Sequence, residues 1–395
     1  MIKVAYILGK LHSGGKKNLV MEYYRHMDTD KVRIDFICDS DSNSIPEEEV
    51  LALGGKVYRV APYENIMQNM RDMAKIFKEE QYDIVHAWDS LMNLFPLVLA
   101  KRAGVKVRIS ESLSMANKNE KKTIIKYALR PFSKVATNYY MACGVDCGVF
   151  QFGRKAYDDG KIAIFKTAIN ANANAFDPKL RQITRTKFGW GDKTVYGFIG
   201  RYMMQKNPVF VIDIFNEIQK TQENAHLVLI GFGDLEQKMM ERVQEYGINE
   251  KVENLGRRED IKQFYNAFDA FLLPSLYEGL PVVGLESQSC GLPIFFSTEI
   301  TPEAKACEMA HFISLETPVQ EWAKEIVSAV KQNSGNRRSY ADDVIAAGFD
   351  SESEAKRLQQ YYINKLNEQL EGGGNIVVLL PLASAEILSY RRCAA

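Results

Sequence analysis

The chain has 395 residues, 46% of them apolar, which is enough for two domains with full cores. Lys and Arg number 50 and Asp and Glu number 50, so no global field attracts nucleic acid, and no nucleic-acid partner is expected. The six cysteines show no CxxC spacing, the N-terminus MIKVAYILGK lacks a basic leader and cleavage site, and no apolar run reaches a membrane span. No zinc or disulfide framework, no signal peptide and no transmembrane helix are therefore expected, and reduced thiols in a cytoplasmic protein are.

Short apolar strands alternate with amphipathic helices along the chain. A first series of strands is predicted at 3–8, 33–38, 56–60, 83–87, 107–110 and 140–143, with helices at 17–26, 67–78 and 91–103. A second series begins at 162–165 and continues at 195–199, 226–230, 252–255, 270–273 and 294–296, with helices at 208–221, 234–245 and 318–331. Near-continuous apolar strands between helices imply α/β architecture with parallel sheets covered on both faces. Two such series imply two doubly wound domains, with ligands at the carboxyl ends of the strands between them. The small, polar stretch NANANAFDP puts the boundary near 170–178, giving units 1–170 and 171–350. The helix 351–370 closes the second series. The tail 371–395 holds an apolar run, 376–382, that is too short to span and is broken by Pro381. It reads first as a linker and tail or cloning read-through, and second as an anchor.

Several loops at strand ends could carry chemistry. LGKLHSGGKKN follows the first strand, and Gly14 and Gly15 remove Cβ atoms where a backbone must approach a ligand or take a positive φ. FIGRYMMQKNP places Gly200 at a strand end, then Arg201 and Lys206, then a helix starting at Pro208 with Asn207 suited to its cap. Two cations at such a turn suit a diphosphate, Arg as a planar fork and Lys as a point charge. Solvated surface charge is the plainer alternative. IGFGDLEQ offers Gly231 and Gly233, with Asp234 to cap the next helix, and Leu255 ends the strand after that. These turns suit a base and ribose, or are simply tight βα turns.

The stretch PSLYEGLPVVGLESQSCGLP is the most informative. It holds Glu278 in a loop and Glu286 in the helix that follows, seven residues lying between them. The free N–H groups and dipole of that helix make an anion site. A carboxylate at its mouth and another further in can accept from hydroxyls at two places on one ligand. An anion bearing hydroxyls at both ends describes a nucleotide sugar.

These strings resemble the retaining glycosyltransferases of family 4, whose GT-B fold has two Rossmann-like domains facing a central cleft. The matching segments are GKLHSGGKKNLV, GRYMMQKNP, LIGFGDLE, NLGRREDI and FDAFLLPSLYEGLPVVGLESQSCGLP, and the likeness spans about residues 2–370. YDIVHAWDS, FQFGRKAYDDGKIAI and AKRLQQYYINKL are similar to bacterial members that build capsular or exopolysaccharide repeat units. By this resemblance Arg201 and Lys206 hold the donor diphosphate, Glu278 meets hydroxyls of the transferred sugar, and Glu286 meets the ribose. Backbone N–H groups of Gly279, Leu280 and Val282 contact sugar and phosphates, whereas Pro281 has none to give. Gly15 lets the first loop approach the diphosphate and acceptor. The resemblance further implies a first domain for the acceptor and a second for the nucleotide sugar. The helix 351–370 crosses back to brace the first domain. The catalytic set is then Arg201, Lys206 and Glu278, with no enzyme nucleophile, no cofactor and no metal. A UDP-sugar is the donor the family uses most, with guanosine donors also in use, and a lipid-linked or oligosaccharide acceptor is implied.

The chain departs from the family pattern in the first domain. Many relatives carry a histidine shortly after the strand 107–110, whereas RISESLS has none, with Glu111 and Leu113 in the neighbourhood, and Trp88 stands where a second histidine often follows the one matched by His86. These changes touch the acceptor and sugar side and leave the diphosphate side alone. His86 itself reads better as a satisfied polar group at a strand end than as an acid or base. The segment 117–140 mixes Lys and Arg with aromatic and aliphatic residues. It fits either a surface helix or one docked on the inner face of an anionic plasma membrane. Two other functions stay open. A sugar-nucleotide epimerase of the same fold needs a different carboxylate and histidine set. A non-catalytic nucleotide-sugar-binding partner is favoured only by the absent histidine.

Overall fold

The computed structural model describes residues 1–12, 15–113 and 127–371. Seven parallel strands form the first sheet in the order β3-β2-β1-β4-β5-β6-β7. They are β1 (Ile2–Gly9), β2 (Val32–Asp39), β3 (Val57–Val60), β4 (Ile84–Ala87), β5 (Val107–Ser112), β6 (Tyr139–Ala142) and β7 (Ile162–Ile164). Six parallel strands form the second in the order β10-β9-β8-β11-β12-β13. These are β8 (Thr194–Ile199), β9 (Ala225–Ile230), β10 (Val252–Asn254), β11 (Ala270–Leu273), β12 (Ile294–Ser297) and β13 (Ala310–Ile313). Each sheet reverses its winding once, between β1 and β4 and between β8 and β11. A ligand crevice opens at such a switch point.

Two sequence expectations need correcting. The strand at 162–165 does not open the second series, because Ile162 pairs with Tyr140 and β7 is the edge of the first sheet. A three-residue edge strand has no pattern of its own that names its sheet. The strand β13 was not anticipated. Its sequence AHFI carries a histidine and is half-exposed at its middle, so it lacks the apolar run of its neighbours.

Alternation along β1 sends side chains to two cores. Val4, Tyr6 and Leu8 join one and Ala5 and Ile7 the other, all nearly inaccessible to solvent. The helix Ser351–Leu370 covers the first of these faces with Ala355, Leu358, Tyr362 and Leu366, a stripe at helical spacing. Its start is set by Asp350, which accepts from the Ser353 N–H at 2.9 Å. The chain passes between the two units twice, and the passages touch. Ile169 N–H donates to Phe349 O at 2.9 Å and Ser351 N–H to Ile169 O at 2.8 Å. Between the sheets lies a cleft of 450 Å³, lined on one side by Gly15, Lys16, Trp88 and Asp89 and on the other by Leu280 and Val282.

Candidate functional site at the carboxyl ends of the second sheet

The loop after β8 is stitched to the loop after β11. A single helical turn, Met204–Lys206, is followed by Asn207 in a left-handed conformation, φ +52°. Asn207 does not cap the helix Pro208–Thr221 as its type suggested. Its side chain donates to Pro274 O at 3.2 Å, because the left-handed turn carries the amide toward the neighbouring loop. Leu276 N–H donates to Gln205 O at 2.8 Å, and the Gln205 side chain donates to Tyr277 O at 3.1 Å. These bonds bring Lys206 onto Glu278, Nζ to Oε1 being 2.5 Å. Glu278 Oε1 also accepts from the Ser275 hydroxyl at 3.0 Å, and Oε2 from Gln205 at 3.4 Å. Arg201 is exposed beside this pair, and its guanidinium has no partner among the described residues. It is the cation left available to an incoming anion.

The glycines of the adjacent turns are fixed by packing. A Cβ on Gly231, φ +152°, would lie 1.8 Å from Gly200 O, and one on Gly233, φ +153°, 2.5 Å from Tyr202 O. The β9 turn therefore presses directly on the Gly200 turn, which itself bonds to Ile230 O at 3.0 Å. Leu255 is half-buried and packs on the second core. Asp234 does not cap the following helix, whose N-cap is Leu235 with no side-chain bond, since the turn runs one residue further. Gly15 and Gly279 differ from the packed glycines. A Cβ at either would meet nothing within 4 Å, so these positions border open space. Gly14 lies outside the described residues.

The helix Val282–Ser289 begins at the mouth of the cleft. First-turn N–H groups such as those of Val282 and Val283 have no carbonyl to bond within a helix, and the dipole adds positive potential there. Gly284 seats this helix on β12, since a Cβ there would come within 2.6 Å of the Phe296 ring. Glu286 is held from below by Tyr265, whose buried hydroxyl donates to Oε2 at 2.7 Å. Burial pushes the Glu286 carboxyl up to about 7, against the downward pull of the Tyr265 bond. The structure thus brings Gly200, Arg201, Lys206, Gly231, Gly233, Glu278, Gly279 and Glu286 to one end of the second sheet. Tyr265, Gln205 and Ser275 were not foreseen. They are polar partners from other elements, and nothing in the local sequence marks them.

On the opposite wall, His86 is fully buried. Its Nδ1 lies 2.7 Å from the Tyr362 hydroxyl and its Nε2 3.2 Å from Glu111 Oε2, while Tyr362 meets the Tyr6 hydroxyl at 3.0 Å. Burial pushes His86 well below its ordinary value and Glu111 well above. Trp88 stacks on His86 with ring centroids 4.2 Å apart and carries the network to the cleft. His86 is thus a satisfied strand-end group, as its position suggested. The segment 117–126 lies outside the described residues. A second cavity of 370 Å³ holds Arg181, Arg185 and Arg337. Their guanidinium groups are spent on the carbonyls of 265–268 and on Asp269, so its role is structural. Among the described residues no group of three or more His, Cys, Asp and Glu could hold a metal ion.

Residues 181–346, which hold all of these donor-side groups except the first-loop glycine, match the family model for glycosyl transferases group 1. The chain is 28% identical over 370 residues to the putative glycosyltransferase EpsF of Bacillus subtilis, covering 91% of this chain and 96% of that one. It is 26% identical to an Escherichia coli UDP-Gal:alpha-D-GlcNAc-diphosphoundecaprenol alpha-1,3-galactosyltransferase, over 58% of this chain and 62% of the relative. Among solved structures it superposes on Anabaena HepE in complex with UDP-glucose with a TM-score of 0.74 at 14% identity, covering 92% of this chain and 100% of the other. It superposes on the lipopolysaccharide glycosyltransferase WaaG with a TM-score of 0.68 at 16% identity, covering 91% and 99%. Residues 181–346 are therefore a group 1 glycosyltransferase domain, and the chain that carries it is a glycosyltransferase with the GT-B fold.

Proposed function

We propose that this glycosyltransferase moves a hexose, with retention, from a nucleoside-diphosphate sugar to a lipid-linked saccharide in the assembly of a bacterial surface polysaccharide. The observation that carries this reading is the Lys206–Glu278 pair beside exposed Arg201, in the loops that lead into the helix Val282–Ser289, which itself holds Glu286 and opens with Val282 in the cleft wall. Departure of a nucleoside diphosphate builds negative charge on its β-phosphate. Arg201, Lys206 and the helix N-terminus would meet that charge as it develops. Glu286, with Oε2 held by Tyr265, keeps Oε1 for the ribose hydroxyls, and Glu278 faces the transferred sugar. No enzyme nucleophile is required if the acceptor attacks from the face the diphosphate leaves. UDP is the proposed nucleotide, and the E. coli relative, named for UDP-Gal and a diphosphoundecaprenol acceptor, supports both halves of the proposal.

An acceptor on a lipid calls for contact with the membrane surface. No helix of the described residues is long and apolar enough to cross one. Tyr127, Phe132 and Val135 are exposed at 46%, 53% and 57%, next to Arg130 and Lys134. Apolar side chains flanked by cations suit an anionic bilayer, and the protein is proposed to work at the cytoplasmic face. Vesicles of anionic lipid should enrich the protein and neutral vesicles should not.

The deciding experiment is calorimetric titration of UDP, GDP and their sugar conjugates into wild type and R201A. Tight binding of one diphosphate that collapses in the variant is expected. Folded protein that binds none of them removes the proposal. Retention is read from the anomeric coupling of the product by NMR.

A further inference from the structure

Donors from three residues occupy the Glu278 carboxylate. Oε1 accepts from Lys206 at 2.5 Å and from Ser275 at 3.0 Å, and Oε2 accepts from Gln205 at 3.4 Å. An oxygen of a carboxylate has two lone pairs, so Oε1 is full. A sugar that presents two neighbouring hydroxyls grips a carboxylate through both oxygens, and one of the present donors must then leave. Ser275 is fully buried. Gln205 is tied again through Tyr277 O and the Leu276 N–H. Lys206 is the one of the three on a long flexible stem, and its charge is the one for which a diphosphate competes.

Resting on the nucleotide-sugar reading above, we propose that Lys206 makes sugar recognition conditional on the diphosphate. In the free protein the ammonium occupies Glu278. A nucleoside diphosphate beside Arg201 draws it away and opens Oε1 to the sugar hydroxyls. The site then selects ligands that carry diphosphate and sugar together. A free monosaccharide meets an occupied carboxylate, and a sugar 1-phosphate lacks the second phosphate that competes with it. Because linkage is reciprocal, whatever releases Glu278 also favours the diphosphate.

The reciprocal arm gives the test, with UDP as the probe, or GDP if that is what wild type binds. Binding of the bare nucleotide to wild type includes the loss of the ion pair. E278Q removes that loss while keeping the side-chain shape, so the nucleotide should bind roughly three- to tenfold tighter. In a K206M background the same substitution should give no gain. A gain of equal size in both backgrounds would mean simple repulsion between carboxylate and phosphate, and would overturn the proposal. Absence of a gain in the background that keeps Lys206 would overturn it too. E278A, melted alongside as a folding control, gives the same reading if E278Q folds poorly. The two readings fail separately: no nucleotide bound by wild type strikes the nucleotide-sugar reading. Binding that R201A abolishes but E278Q does not strengthen strikes only the role of Lys206.

Discussion

The hydroxyl of Tyr362 lies 2.7 Å from Nδ1 of His86, joining the last helix of the chain to the centre of the first sheet. It also meets the Tyr6 hydroxyl at 3.0 Å, so one oxygen satisfies two buried groups. Y362F should leave both without that partner. The expected loss is about 2 kcal/mol in urea unfolding, the usual penalty for orphaned buried polar groups. A loss below about 0.5 kcal/mol would show that the network carries little of the fold's stability.

Gly231 makes a sharper steric prediction. Its φ of +152° and the 1.8 Å approach of a would-be Cβ to Gly200 O leave no room for a side chain. G231A should lower stability by at least about 2 kcal/mol. G279A, at a position bordered by open space, should melt like wild type yet bind the nucleotide sugar less well. Equal melting temperatures for the two variants would contradict the packing described.

Donor affinity should depend on Glu286. Its carboxyl is pushed up to about 7 by burial, so it is mostly protonated below that pH. A neutral carboxyl is a weaker acceptor than a carboxylate. Affinity for the nucleotide is therefore expected to fall as pH drops from 8 to 6. Y265F removes the bond that holds Glu286 down, which should move the midpoint of the fall upward. In E286Q the dependence should vanish. Calorimetry across this range, with melting curves as control, reads all three.

Arg201 is exposed and unpaired among the described residues, so its removal should not disturb the fold. R201A is expected to lower kcat/KM by on the order of 10²–10³, the size found when one preorganised contact to a developing negative charge is lost. R201K should recover only part, since a point charge cannot reproduce the planar fork. Steady-state transfer rates with the donor that wild type binds would check both.

Most strands were legible because a parallel sheet buried on both faces writes nearly continuous apolar runs, as in Ala225–Ile230. Where burial is partial, as in Ala310–Ile313, the run is broken and the strand was missed. Partner choice was less visible than strand existence, and β7 was assigned to the wrong series. At the site, Arg201, Lys206, Glu278 and Glu286 could be named from residue type and turn position. That Lys206 and Glu278 pair with each other could not, because the pairing depends on how the loops 203–207 and 274–278 are stitched together. The Tyr265 contact to Glu286 spans 21 positions and was invisible for the same reason. Asn207 shows the limit of capping rules, since its backbone took a conformation that turned the amide elsewhere.

The return of the helix Ser351–Leu370 to the first sheet has a consequence for synthesis. Ala355, Leu358, Tyr362 and Leu366 complete the core against Val4, Tyr6 and Leu8. On the ribosome those residues emerge only after the whole second unit has been made. The unit begun first is finished last, and the part of that face beyond the reach of the helix Gly15–Arg25 waits for its cover while some 180 residues are translated.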